Sequence, residues 1–434
     1  MMLTMTTRFL SSIFALIAST AILLTGHGLQ VIVGPLLALE SGFSEVEIGY
    51  QGSAYFCGII IGCLSIPRLI CNVGHIRVFL VLIALATVAL LALGLGADRF
   101  VWLASKMLSG FCLSGLYMVI ESWLNESSTT ENRGSVLSLY SIITLLAISF
   151  GQLFIGLGPS YEQLLILGAI FILLSTIPVG LSRTASPAPP QVVSFKFRQV
   201  YRDSKVALYG AFLCGLVTSG FWALGPIIGM GLNFDKDQIG IFMAVTLFGG
   251  AIAQLPVGRY SDLIDRRLVL AGLGLAASVT ALLAVSIISQ TPGFFFMIMF
   301  LFGASTFPIY SISLAHANDN SVLAPIETGS VILLTFSLGS VLGPALISTV
   351  QAFSNLAIYW VTLCVLAPFA VITFARSRVI PATQTHFAPY QDVPVTTQEV
   401  ISLGADEIVS IQVQDSESED FLDGFEAEPL PTAI

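Results

Sequence analysis

Apolar runs long enough to cross a bilayer as helices recur along most of this chain of 434 residues. A membrane-spanning helix needs about 20 apolar residues, whereas a β-barrel strand shows about 10 residues of alternating polarity, a pattern that these continuous runs lack. Only 10% of the residues are charged, against about 25% in soluble proteins. The sequence therefore predicts an all-α polytopic membrane protein with twelve transmembrane helices. The predicted spans are 9–33, 46–67, 76–96, 100–121, 135–157, 163–182, 207–230, 238–258, 268–289, 293–316, 328–350 and 356–375.

The lysines and arginines between these runs are distributed unequally. With the N-terminus inside the cell, fourteen of them lie in cytoplasmic segments, and only Arg99 and Lys236 lie outside. Cytoplasmic loops of membrane proteins carry an excess of this kind. The sequence predicts a multi-pass protein of a bacterial inner membrane with both termini in the cytoplasm.

The net charge of -9 belongs to the C-terminal end of the chain. After Arg378 there are eleven acidic residues and no lysine or arginine. A polar, acidic segment with several prolines cannot bury enough apolar surface to fold alone. Residues 379–434 are therefore expected to form a disordered cytoplasmic tail.

The longest internal connection divides six runs from six, and the two halves repeat. Glycines and one arginine recur at a constant offset of 191 residues, which indicates duplicated six-helix units. We expect an N-terminal bundle over 1–182, a cytoplasmic linker over 183–206 and a C-terminal bundle over 207–378. The matching pairs are Gly34 and Gly225, Gly49 and Gly240, Gly58 and Gly249, and Arg68 and Arg259.

A charged segment separates the eighth run from the ninth. Its glycine suits a tight helix exit, its aspartates can cap a helix or pair with arginines, and its arginines lie at a membrane edge. These residues are Gly258, Arg259, Asp262, Asp265, Arg266 and Arg267.

This segment resembles the loop signature of the major facilitator superfamily, a glycine followed by an aspartate and a basic cluster. In that family the signature lies between helices 2 and 3, recurs between helices 8 and 9, and helps to lock the cytoplasmic gate. The first-half copy here lacks the aspartate but keeps Arg68 and Arg77, which are either gate residues or orientation charges. The resemblance implies two pseudo-symmetric six-helix bundles and alternating access at a site between them.

Two further acidic positions are candidates for the same gate. Glu121 ends the fourth run, and a carboxylate at that depth is costly unless it is paired, here with Arg68, Arg77 or Arg133. Proton carriage and simple solvation are the alternatives for Glu121. The Glu-Ser-Trp-Leu-Asn sequence that begins at this residue resembles a poorly characterised bacterial branch of the superfamily and indicates no substrate.

At the end of the tenth run, His316 and Asp319 are three residues apart and so share one helix face. We expect them to pair with Arg259 or Arg266. This pairing would mirror the one expected between Glu121 and an arginine of the first half.

Lys106 is the first candidate for a substrate or proton pathway. It occupies the place of an arginine in the family's helix 4 signature, a cation that the family links to proton coupling. Lysine keeps the charge but lacks the planar fork of arginine. Its position near the outer end of the span also allows the alternative, in which the side chain snorkels to the interface.

The other pathway candidates are polar or aromatic residues inside apolar runs. His27 and Gln30 share one face of the first span, where His27 either binds a proton or makes one hydrogen bond between helices. Trp222 in the seventh span either stacks on a substrate or packs against lipid or protein. Gln152 in the fifth span is a comparable buried amide.

The sequence excludes several function classes. It contains no phosphate-binding loop, zinc-ligand spacing, nucleophile elbow or nucleic-acid footprint, so we expect no enzyme activity, cofactor, metal or nucleic-acid partner. The expected partners are a small-molecule substrate, protons and the lipid bilayer, with the chain acting as a monomer. The favoured function is proton-coupled secondary transport of a small solute. Export of amphipathic compounds and a sensor that signals through the acidic tail are the alternatives.

Overall fold

The computed structural model describes residues 2–126, 133–157, 160–181, 196–287 and 292–379. Their helices are α1 (Met2–Glu40), α2 (Glu45–Val73), α3 (His75–Ala92), α4 (Arg99–Glu126), α5 (Arg133–Leu153), α6 (Tyr161–Leu174), α7 (Thr176–Leu181), α8 (Phe197–Asp203), α9 (Lys205–Gly231), α10 (Lys236–Ser261), α11 (Arg266–Ile287), α12 (Pro292–Thr306), α13 (Pro308–Asn320), α14 (Pro325–Gln351) and α15 (Ala357–Val379). Short 3-10 turns extend α3 and α5. Residues 380–434 of the predicted tail, residues 183–195 of the predicted linker and residue 182 lie outside the described residues.

These helices confirm the predicted all-α membrane fold. Twelve candidate spans are present in the described part of the chain, with α6 and α7 forming one span and α12 and α13 another. The first span continues to Glu40 rather than ending at residue 33. The helix continues through Pro35. A proline inside a helix removes one backbone hydrogen bond and can kink the helix without ending it. Within the predicted linker, Phe197–Asp203 is helical.

The spans form two bundles with the same internal packing. In the first bundle α1 packs on α5, and α2 on α4; in the second, α9 packs on α14, and α10 on α12. One repeated pair of glycines, Gly58 and Gly249, lies at two of these crossings. A side chain at Gly58 would collide with the backbone of Met107 on α4, and one at Gly249 with the backbone of Phe300 on α12. Small residues allow membrane helices to approach this closely.

We call the face where α1 begins and α15 ends the terminal face, and the opposite one the distal face. The glycines that bring the bundles together lie near the distal face. Gly49 of α2 contacts Ser348 of α14, and Gly240 of α10 contacts the backbone of Gln152 on α5. Near the terminal face, by contrast, the last turn of α2 has exposed side chains, including Asn72. The two bundles are therefore in contact on the distal side of a central space.

Candidate functional site

A cavity lies between the two bundles. Helices α1, α2, α4 and α5 line it from the first bundle, and α9 and α14 line it from the second. The centres of water-sized spheres can occupy about 140 Å³ of this space. One such sphere needs about 10–15 Å³, so the cavity has room for several waters or a small solute.

The wall from the first bundle is polar. The rings of His27 and Tyr55 are stacked, with centroids 6.3 Å apart and planes inclined by 14°. Beside His27, Gln30 donates from Nε2 to the hydroxyl oxygen of Ser109 at 3.2 Å. Gln51, one helical turn before Tyr55, is buried and its Oε1 has no hydrogen-bond partner among the described residues. This wall can therefore donate and accept hydrogen bonds.

Lys106 supplies the positive charge of the same wall. Its Nζ lies against Gly34 of α1, where any larger residue would collide with the ammonium group. It is close enough to His27 for the two side chains to interact electrostatically. Lys106 forms no salt bridge with any residue that the structure describes. The ammonium group thus faces the protein interior rather than the lipid.

The wall from the second bundle is aromatic and carries hydroxyl groups. Trp222 on α9 packs edge-on against Phe307, with ring centroids 6.4 Å apart. One turn earlier, the Thr218 hydroxyl donates to the carbonyl oxygen of Cys214 at 2.7 Å. Phe336 on α14 completes the apolar surface. No charged side chain of the described second bundle lines the cavity.

Gln152 lies apart from the other four pathway candidates. It is fully buried where α5 meets α10, and both polar atoms of its amide lack a hydrogen-bond partner among the described residues. Helix α5 reaches the cavity through Ile148 instead. The structure therefore brings His27, Gln30, Lys106 and Trp222 together in one cavity, and leaves Gln152 at the contact between the bundles.

At the terminal face, the second bundle carries a buried ion network. Arg266 of α11 forms an ion pair with Asp319 of α13, with Nε and Oδ2 2.8 Å apart and side chains only 1% and 2% exposed. The same guanidinium donates from Nη2 to Oδ1 of Asp262 at 3.2 Å. Each of these partners belongs to the second bundle. The network therefore ties α11 to α13.

Asp265 forms a second pair beside this network. Its Oδ1 accepts the backbone N–H of Arg267 at 2.9 Å, and its Oδ2 accepts a guanidinium hydrogen bond at 2.7 Å. Partial burial raises the pKa of Asp265, but these hydrogen bonds outweigh it, so the pKa lies below its ordinary value. His316 lies close to Asp265 and approaches the side-chain nitrogen of Asn320 through Nδ1 at 3.1 Å. Asp265 thus caps α11, as expected for an aspartate before a helix.

Two other residues of this segment differ from the expectation. Gly258 is buried inside α10 and does not form a helix exit, because the helix continues to Ser261. Arg259 is exposed and forms no salt bridge with a described residue.

The first bundle has different chemistry at the terminal face. Glu121 is buried and accepts a hydrogen bond from the Tyr140 hydroxyl at 3.2 Å. Arg68 and Arg77 are exposed and form no salt bridge with a described residue, so neither pairs with Glu121 here. The side chain of Arg133, the first residue of α5, lies outside the described structure.

Sequence reasoning missed several cavity residues, among them Gln51 and Tyr55 on α2, and Phe336 on α14. Gln51 and Tyr55 are four residues apart and so lie on one helix face. A polar pair at helical spacing inside an apolar run was the available signal. Phe336 gave no such signal, because phenylalanines are frequent throughout the apolar runs.

Comparisons with curated proteins identify relatives of similar length. The chain is 26% identical over 316 residues to the uncharacterized MFS-type transporter YcaD of Escherichia fergusonii, covering 72% of this chain and 81% of that protein. It is 27% identical over 335 residues to an uncharacterized MFS-type transporter of Yersinia pestis, covering 74% and 84%.

Solved structures share the fold at lower identity. A bacterial homologue of the human lysosomal transporter Spinster, in an inward-facing and unoccupied conformation, matches with a TM-score of 0.65 at 17% identity, over 86% of this chain and 99% of that one. The nucleoside transporter NupG matches with a TM-score of 0.67 at 12% identity, over 86% and 99%. The family model described as Major Facilitator Superfamily matches residues 9–321 and 207–405. The chain belongs to the Major Facilitator Superfamily, as a multi-pass membrane transporter.

Proposed function

We propose that this transporter moves a small solute across the bacterial inner membrane by alternating access, with the movement coupled to protons. The observation that carries the proposal is the central cavity, whose walls come from both bundles. A site held between two repeats becomes accessible to each side in turn when the repeats rock against each other.

The contacts between the two bundles support an inward-facing state of the transport cycle. Gly49 and Gly240 provide close approaches on the distal side, at equivalent positions of the two repeats. The excess of lysine and arginine at the terminal face assigns that face to the cytoplasm. With the distal side in contact, the structure corresponds to an inward-facing state, and both termini are cytoplasmic.

Proton coupling is proposed from the titratable groups of the cavity. His27 and Lys106 lie close enough to interact, so a proton gained by one disfavours the charged form of the other. His27 supplies an imidazole, a group that can bind and release a proton. Solute binding and proton binding are then linked through the same wall.

Distances between spin labels test alternating access without a known substrate. In a variant without the native cysteines, Asn72→Cys with Leu263→Cys places labels at the terminal ends of the two bundles. Glu40→Cys with Phe353→Cys places them at the distal ends; all four positions are exposed. We expect each pair to show two distances, with the terminal pair shortening under conditions that lengthen the distal pair.

A label pair within one bundle serves as the control. Asn72→Cys with Leu181→Cys joins two exposed sites of the first bundle, so this distance should stay constant. If conditions that change the terminal distance leave the distal distance unchanged, the movement is not alternating access. For the coupling, solute uptake into proteoliposomes that is saturable but insensitive to an imposed pH gradient would contradict a proton-coupled cycle.

A further inference from the structure

We propose that the solute is a small organic monoanion, whose charged group pairs with Lys106 and whose apolar or aromatic body packs against Trp222 and Phe336. This inference rests on the proposed transport function, because it assigns the chemical class of the ligand in the same cavity.

The described side chains that line the cavity carry positive charge and no negative charge. No aspartate or glutamate is among the described residues that line it, whereas Lys106 is a cation. Glu121, the nearer of the two acidic residues on the same helix as Lys106, is fifteen residues further along, about 22 Å away at the rise of an α-helix. The described walls therefore present positive charge without a counter-charge.

The unpaired charge of Lys106 is energetically unfavourable. A charged side chain within the membrane domain is expensive unless it is paired or faces water. Lys106 has no salt-bridge partner in the described part of the chain, whereas Arg99, Arg266 and Arg267 each have one. Gly34 also leaves the space that the ammonium group occupies. An anionic ligand supplies the missing partner, and one unpaired lysine matches one negative charge.

The rest of the cavity determines what surrounds the charge. The amides of Gln30 and Gln51 lie on the same wall as Lys106 and can hydrogen-bond to oxygen atoms of a carboxylate. On the opposite wall, Trp222 and Phe336 present aromatic surface, which stabilises a ring or a branched hydrocarbon by burial and stacking. The two walls together fit a carboxylate with a compact apolar body.

Three probes of equal size separate charge from shape. Phenylacetate is the anion, phenylacetamide its neutral isostere and 2-phenylethylamine the cation. Binding to the purified protein is measured by ligand-induced shifts of thermal unfolding, because a ligand that binds only the folded state raises its stability. We expect phenylacetate to bind at least about tenfold more tightly than phenylacetamide, since a hydrogen-bonded charge pair contributes about 1.5–3 kcal/mol and each 1.4 kcal/mol is tenfold. The amine should not bind.

Variants assign this preference to the lysine. Lys106→Met keeps the length and apolar stem of the side chain and should remove the preference for the anion, whereas Lys106→Arg keeps the charge and should retain part of it. Lys205→Met removes a lysine that the structure places at the terminal face, outside the cavity, and should leave the preference unchanged. Each variant must elute from gel filtration as the parent does. Lys106→Arg then keeps the test valid if Lys106→Met does not fold.

Several outcomes overturn the inference. They are equal binding of the amide and the anion, tighter binding of the amine, unaltered anion binding by Lys106→Met, and absence of binding by all three probes. The spin-label distances distinguish this failure from failure of the transport proposal. Two-state distances without anion preference reject only the ligand class, and anion preference with a single fixed distance rejects only alternating access.

Discussion

The two bundles share a scaffold but differ in chemistry. At the glycine crossings the repeat is retained, because Gly58 and Gly249 each face a helix backbone that leaves no room for a side chain. At the terminal face the repeat is retained only in part: Arg259 corresponds to Arg68, whereas Asp262 and Asp265 correspond, at the same offset, to Cys71 and Gly74. The aspartates of this segment therefore have no acidic counterpart in the first bundle.

Polar residues are divided between the bundles accordingly. The first bundle supplies the cationic and amide wall of the cavity, with Lys106 and Gln51, whereas the second supplies the aromatic wall with Trp222. The second bundle carries the buried pair of Arg266 and Asp319 at the terminal face. The proposed ligand contacts with Lys106 and the buried ion pair at the terminal face thus belong to different bundles.

The strongest test of this division is Asp319→Asn. The change leaves Arg266 buried without its main counter-charge, and removal of one partner of a buried pair typically costs about 3–5 kcal/mol. We expect a large fall in the thermal unfolding temperature in detergent. Combining Arg266→Met with Asp319→Leu should recover most of the loss, because an apolar pair replaces both charges. If Asp319→Asn unfolds at the parent temperature, the network does not brace the second bundle.

The shared scaffold is tested by parallel substitutions. Gly58→Ala and Gly249→Ala each force a methyl group against a facing backbone, and overpacking of this kind typically costs about 1–3 kcal/mol. We expect similar losses of unfolding temperature from the two variants. Gly272→Ala is the matched control, because no atom outside its own helix lies within 4 Å of the added carbon. A loss from only one of the two crossing variants would show that the bundles do not pack equivalently.

Much of the fold could be predicted from the sequence. The lengths of the apolar runs predicted the spans, because a membrane-spanning helix must match the thickness of the bilayer. The offset of 191 residues predicted the repeat, because glycines at close backbone contacts recur in both halves. The first span extends beyond its predicted end because its helix continues through Pro35. In this case hydropathy gives the existence of a span more reliably than its ends.

The candidate site was predictable only in part. Lys106 and His27 stand out because ionisable residues are rare in apolar runs. The partners at the terminal face did not follow from the sequence, since Glu121 has several arginines within plausible reach and the structure places Tyr140 against it. Gln152 shows the converse error, in which a buried amide near a cavity helix lies at a contact between bundles. The sequence indicates how far along a helix a residue lies. Which neighbouring helix its side chain faces depends on how the helices pack, and the structure is needed to show that.

A smaller difference between the bundles should appear at low pH. The pKa of Asp265 lies below its ordinary value in the folded protein, so this residue stabilises the fold above its unfolded pKa of about 3.9 and loses that effect as the pH falls through the lower, folded value. The side chain is partly exposed, so its contribution is below about 1 kcal/mol. We expect the unfolding temperatures of the parent and Asp265→Asn to converge as the pH falls below the unfolded pKa of about 3.9 and through the lower, folded value. A constant difference over this range would exclude the titration of Asp265 as its source.

The smallest effects on stability are expected from Arg68→Ala and Arg259→Ala, the arginines that the repeat retains in both bundles. Both are exposed and lack salt bridges to described residues in this state, and such surface changes usually stay within about 0.5 kcal/mol. If the arginines act as gate residues, they pair only when the terminal ends approach each other. Their removal should then leave the unfolding temperature unchanged but increase the population with the longer distance between labels at residues 72 and 263. Unaltered distance populations in both variants would show that these arginines only orient the chain, in which case the repeat retained them for membrane topology rather than for the transport cycle.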